Sequence, residues 1–175
     1  MATRIVLLRA VNVGKAQLPM AELRAIATDL GATDPRTYIA SGNLVADVPG
    51  APDTFDRALE AAIEERFGFF REAISRTPAQ VRAALDAHPF EIVEPRFSYI
   101  SFLLATPTPA AIAQAETFET HDDRWQVIGA EMHIRYAHGA GRPEMKADAI
   151  GRALGTPGTA RNLNTVRKLV ELAEP

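Results

Sequence analysis

The apolar positions of the chain fall into short runs and helical repeats that alternate along its length. Ile5 to Val11 is an apolar run broken only by Arg9, and it stops at Asn12-Val13-Gly14-Lys15. A run of that length bounded by turn residues predicts a buried strand feeding a loop. Pro19 suits a first helical position, and Met20, Leu23, Ala27 and Leu30 then recur at helical spacing up to Gly31. Arg36 to Ala40 and Leu44 to Ala46 flank Ser41-Gly42-Asn43, the composition of a tight turn, and predict a hairpin. Asp53 is placed to cap a helix carrying Phe55, Leu59, Ile63 and Phe67, closed by Gly68, ahead of a strand from Phe69 to Ser75. The order is β-α-β-β-α-β.

Thr77-Pro78-Ala79-Gln80 has the residues of a capping box at the head of a helix through Leu85. The segment from His88 to Arg96, with two prolines and two glutamates, reads as a linker. A second strong strand runs from Phe97 to Ala105, and a modest helix begins at Pro109 and extends through Ala115. Trp125 to Ile128 and Met132 to Tyr136 flank a turn at Gly129-Ala130. Pro143 opens a helix with Met145, Ile150 and Leu154, closed by Gly155, and a last helix carries Val166, Leu169 and Val170. The second half therefore begins β-α-β-β-α like the first, with a helix where the final strand should stand. These patterns predict an α+β protein of two tandem ferredoxin-like units, antiparallel sheets covered by helices, with boundaries at 1–90 and 91–175 and the second unit ending in a helical hairpin.

Three stretches resemble the bacterial domain-of-unknown-function 1697 family: Leu7 to Lys15 followed by Pro19 to Arg24, Arg36 to Val45, and Thr159 to Leu169. The resemblance spans nearly the whole chain. It implies the same two-unit ferredoxin-like architecture and no particular reaction. Ala10 stands where that family usually has glycine, Ala46 where it has an aromatic residue, and Leu163 where it has tryptophan.

Composition narrows the function classes. With 175 residues, 47% of them hydrophobic, the chain can bury a sizeable core. A net charge of −3 argues against a broad basic footprint for nucleic acid. There is no cysteine, which removes disulfides and thiolate chemistry. No secretion signal is visible and no apolar stretch approaches the roughly 20 residues of a membrane span, so the expected location is cytoplasmic, without a membrane partner.

Candidate chemistry is sparse. Gly14-Lys15 follows a strand and precedes a helix, but Arg9 and Ala16 occupy positions where a phosphate-binding P-loop needs glycine and a hydroxyl residue. Asn12, the amides around Gly14 and the Lys15 ammonium still form a candidate anion nest. Ser41-Gly42-Asn43 lacks the glycines of a nucleophile elbow, and its context is strand-turn-strand. If the strands are neighbours, that turn lies beside the Asn12 loop.

His133 and Arg135 share one face of a strand, where they would aim an imidazole and a cation at an anion. No histidine spacing or aspartate cluster signals a metal site, and no cofactor is implied. The stretch from Ala147 to Leu172 reads as helix, turn, helix, in which Arg161, Asn162, Asn164 and Arg167 would cluster as on a DNA-reading helix.

Taken together, the polar motifs at element ends define a candidate site for a small anionic, phosphate- or nucleotide-like ligand in a cleft between units. Its residues are Arg9, Asn12, Gly14, Lys15, Ser41, Asn43, Arg161, Asn162, Asn164 and Thr165. A nucleic-acid-binding module ranks second, using either the carboxyl-terminal helices or a sheet whose aromatics are a partial base-stacking set, Phe97 and Tyr99 on one face and Phe102 on the other. A structural or protein-interaction role ranks third, and no acid-base or nucleophile arrangement identifies an enzyme.

Overall fold

In the computed structural model, which describes residues 1–174, the chain forms two compact units. The first comprises Met1–Arg82 together with the segment from Lys168 onward, and the second is Ala83–Arg167.

In the first unit β1 (Ala2–Leu8) is followed by α1 (Met20–Asp29), β2 (Thr33–Thr37), β3 (Asn43–Val48), α2 (Pro52–Phe67) and β4 (Ala73–Arg76). The strands are antiparallel in the order β2-β3-β1-β4, the ferredoxin-like arrangement. Successive side chains on β1 face opposite sides of the sheet, and Ile5, Val6, Leu7 and Leu8 are all fully buried. Val6 and Leu8 enter the core under α1 and α2, with Leu23, Ile26, Phe55, Leu59 and Ile63. Thus the apolar run that looked undivided in sequence serves both faces of one strand.

α3 (Pro78–Asp86) begins with the expected capping box. The Gln80 amide N–H donates to Thr77 Oγ1 at 3.0 Å, and the Thr77 N–H donates to Gln80 Oε1 at 2.8 Å. In the second unit β5 (Ser98–Leu103), α4 (Pro109–Ala115), β6 (Arg124–Ile128), β7 (Glu131–Arg135), α5 (Ala147–Leu154) and β8 (Gly158–Asn162) repeat the topology, with strand order β6-β7-β5-β8. α6 (Leu163–Ala173) follows.

Several expectations need correction. The strand missing from the second unit is β8: Tyr99 pairs with Asn162, Ser101 with Ala160 and Leu103 with Gly158. The carboxyl end is therefore helix-strand-helix and not a helical hairpin, which removes the short turn that a helix-turn-helix requires. α2 starts at Pro52 after Ala51, so Asp53 lies in its first turn and does not cap it. α5 starts only at Ala147, because Pro143 to Lys146 form the end of a loop whose backbone is held elsewhere. The first hairpin joins Thr37 to Asn43, and Tyr38 to Gly42 are its connection.

Among the described residues no helix is long and apolar enough to cross a membrane.

Candidate functional site

The candidates of the first unit gather at one end of its sheet. β1 ends at Leu8, and the loop that follows lies beside the β2–β3 connection, as expected from strand adjacency. The Asn12 side chain joins the two: its Nδ2 donates to Ala40 O at 2.5 Å and to Leu18 O at 2.9 Å, while its Oδ1 accepts from the Leu18 N–H at 2.8 Å. Gly42 fits the junction because it has no side chain. A Cβ there would stand 2.6 Å from Val11 Cγ2, and its φ is +80°.

Most of these polar groups are engaged in building the loops. Asn43 is fully buried and its Nδ2 donates to Tyr38 O and to Ser41 Oγ at 3.0 and 2.9 Å. Arg9 pairs with Glu72 at 3.5 Å. Lys15 differs: it is exposed and has no ion-pair partner among the described residues, next to Gly14, where an added Cβ would meet nothing within 4 Å and whose carbonyl accepts from Gln17 Nε2 at 3.0 Å.

In the second unit, Arg161 and Asn162 are consecutive on β8 and leave the sheet on opposite faces. Arg161 is buried and donates to Thr159 Oγ1 at 2.6 Å and to Ala160 O at 3.0 Å. Burial lowers its pKa to about 10. Asn162 Oδ1 accepts from the Thr165 N–H at 3.0 Å and caps α6. Thr165 is buried, whereas Asn164 is exposed.

The other face of Asn162 belongs to a groove of about 630 Å³. Arg96, Phe97 and Tyr99 line it from β5 and the turn before it, and the loop His138-Gly139-Ala140-Gly141-Arg142 lines it opposite. Tyr99 and Asn162 are register partners, so their side chains share a face. The Tyr99 ring packs edge-on against Tyr136 at 5.5 Å. Burial, reinforced by the neighbouring Tyr99, Asp123 and Asp148, pushes the Tyr136 hydroxyl up to about 12. The Arg96 guanidinium lies over the Phe97 ring at 5.1 Å. Gly139 rests so closely on that ring that a Cβ would be 2.9 Å from Phe97 Cε1. Arg142 is exposed and has no ion-pair partner among the described residues.

One buried carboxylate holds this loop at both ends. Asp123 Oδ1 accepts from the Ala137 N–H at 2.8 Å, and its Oδ2 accepts from the N–H groups of Glu144 and Met145 at 2.7 and 3.0 Å. Its neighbour Asp122 donates its own N–H to Glu144 Oε2 at 2.8 Å. Sequence reasoning missed Asp123, since its partners lie 14 to 22 residues away and form no local motif.

The His133–Arg135 expectation is also corrected. His133 is buried, and its Nδ1 lies 3.2 Å from Nδ1 of His88. Burial and the adjacent His88 lower its pKa to about 4, so the imidazole is neutral and not presented to solvent. Of the aromatics considered for base stacking, Phe102 is fully buried, while Phe97 and Tyr99 line the groove.

A model of the family described as Protein of unknown function (DUF1697) matches residues 1–133, most of the chain. The chain belongs to the DUF1697 family. The solved structure of conserved bacterial protein SP0830 from Streptococcus pneumoniae is similar to this DUF1697 protein at 21% identity and a TM-score of 0.72, covering 100% of this chain and 99% of that one. That likeness shows a common fold. No curated protein matches the chain. In this DUF1697 protein Ala46 and Leu163 are both fully buried, so these positions serve packing.

Proposed function

We propose that this protein binds a small phosphate-bearing ligand, with a planar group beside the phosphate, in the groove of the second unit. The observation that carries this reading is the exposed Arg142 guanidinium, without an ion-pair partner among the described residues, lining a depression with Arg96, His138 and the rings of Phe97 and Tyr99. A guanidinium presents paired donors that match phosphate or carboxylate geometry, and an aromatic face suits a flat heterocycle. Asn162 adds an amide on the same side. The loop is fixed at both ends by Asp123, so little ordering entropy is lost when a ligand arrives. The role is binding; no nucleophile lies beside a base in the groove.

A second reading is supported by the exposed Lys15 beside the exposed Gly14, where the first-unit loop would act as a small anion nest. In that arrangement Arg9, Asn12, Ser41 and Asn43 maintain the loop.

Thermal unfolding against inorganic phosphate, nucleotides, carboxylates and short oligonucleotides tests both readings. A ligand at 100 times its dissociation constant adds about 2.7 kcal/mol of stability. The expected result is stabilisation by a nucleotide that Arg142→Ala and Arg96→Ala abolish and Lys15→Ala retains. Loss with Lys15→Ala alone moves the site to the first unit. Stabilisation by oligonucleotides only, with a steep dependence on salt, overturns the small-ligand reading in favour of nucleic acid.

A further inference from the structure

Beside the groove, three side chains converge without any spacing motif to announce them. One candidate ligand atom each from Asp122, His138 and Glu144 lies within 4.8 Å of the other two. His138 also lines the groove. We propose that these residues hold a divalent transition-metal ion at the groove's rim.

The geometry needs little adjustment. His138 Nε2 is 3.7 Å from Glu144 Oε1. Two ligands bound to one ion at 2.0 to 2.2 Å in tetrahedral geometry stand about 3.4 Å apart, within reach of a small side-chain rotation. Glu144 Oε2 is occupied by the Asp122 N–H, which leaves Oε1 directed towards the imidazole. Asp123 fixes the backbone at Ala137 and Glu144, so the chain positions flanking His138 and carrying Glu144 are set before an ion binds.

The donor set selects the class of ion. One imidazole with two carboxylates suits zinc, manganese, iron(II), cobalt or nickel, whereas magnesium and calcium favour all-oxygen surroundings. Three protein ligands leave at least one coordination position open for water or a ligand oxygen, the arrangement of an open site. The ion would also offset the two carboxylates, whose charge otherwise opposes an anion in the groove. That coupling rests on the phosphate-binding reading; ion binding itself does not.

Chelator-treated full-length protein titrated with Co²⁺ or Zn²⁺ alone, by calorimetry and by the visible absorption of bound cobalt, provides the test. The expected result is one ion per chain, with affinity reduced at least about tenfold by Asp122→Asn and by His138→Ala. Glu119→Gln, an exposed carboxylate outside the trio, should leave the affinity unchanged. Absence of one-to-one binding, or binding that neither Asp122→Asn nor His138→Ala weakens, overturns the proposal. Nucleotide titration with chelator present reads the groove separately: stabilisation there without any ion binding defeats the metal site and spares the groove, and ion binding without nucleotide stabilisation does the converse.

Discussion

The side-chain amide of Asn12 donates to the carbonyl of Ala40, 28 residues away, at 2.5 Å. The same amide exchanges two hydrogen bonds with the backbone of Leu18, so a single asparagine closes its own loop and attaches it to the next hairpin. Asn12→Ala removes all three bonds. At roughly 1 kcal/mol each, partly offset by water, the variant should lose about 2 kcal/mol, read from urea unfolding midpoints. A loss below about 0.5 kcal/mol would show that the two loops hold together without it.

Ala10 occupies the left-handed region at φ +51°. An L side chain there costs about 1 to 2 kcal/mol, and a glycine has no such cost. Glycine's greater freedom in the unfolded chain takes back part of the gain. Ala10→Gly should therefore stabilise the protein by up to about 1 kcal/mol, measured as a higher melting temperature; a lower one would refute the strain argument.

Two buried groups give opposite pH dependence. The folded pKa of His133 is about 4, below its ordinary 6.5, so its contribution is complete above 6.5 and falls as acid is added towards pH 4. Asp56 is raised from 3.8 to about 6, chiefly by burial and against its hydrogen bonds from Ser75. Its contribution is complete below 3.8 and is lost as pH rises through 6. Each shift corresponds to about 3 kcal/mol across its window. His133→Gln should become more stable as pH falls from 6.5 to 4.5, and Asp56→Asn less stable over the same interval. Denaturant midpoints at the two pH values, with slopes of the same sign in both variants, would contradict this balance.

Asp123→Ala leaves three N–H groups without their acceptor at a fully buried position. The expected loss is about 3 kcal/mol or more. Hydrogen exchange should accelerate at Ala137, Glu144 and Met145 while the amides of β1 stay protected. Uniform acceleration over both units would mean that the carboxylate supports the fold at large and not this loop.

The legibility of the sequence varied with the physical origin of each element. The Thr77–Gln80 box and the glycine stops at Gly68 and Gly155 are local chemistry, and both glycines adopt the left-handed conformation that ends a helix. The β6–β7 hairpin announced itself through two runs flanking the turn at Gly129-Ala130. β8 did not, because Gly-Thr-Ala-Arg-Asn offers no apolar stripe: its inward positions are Thr159 and Arg161, and pairing with β5 defines it. β2 was misplaced towards Tyr38 for a related reason, being a polar edge strand with Pro35 and an irregular register between Thr33 and Arg36. At the candidate site, Asn162 was legible as a polar residue at an element end. The loop that faces it was not, since its shape comes from the distant carboxylate of Asp123.

α6 divides between the two units, its residues to Arg167 belonging to the second and those from Lys168 onward to the first. The late segment is anchored there, with Arg36 Nη1 donating to Leu172 O at 2.6 Å and Arg82 paired with Glu174. On a ribosome, the first unit to emerge is therefore the last to be completed: its sheet can pair early, but its final helical segment arrives only after the whole of the second unit has been translated.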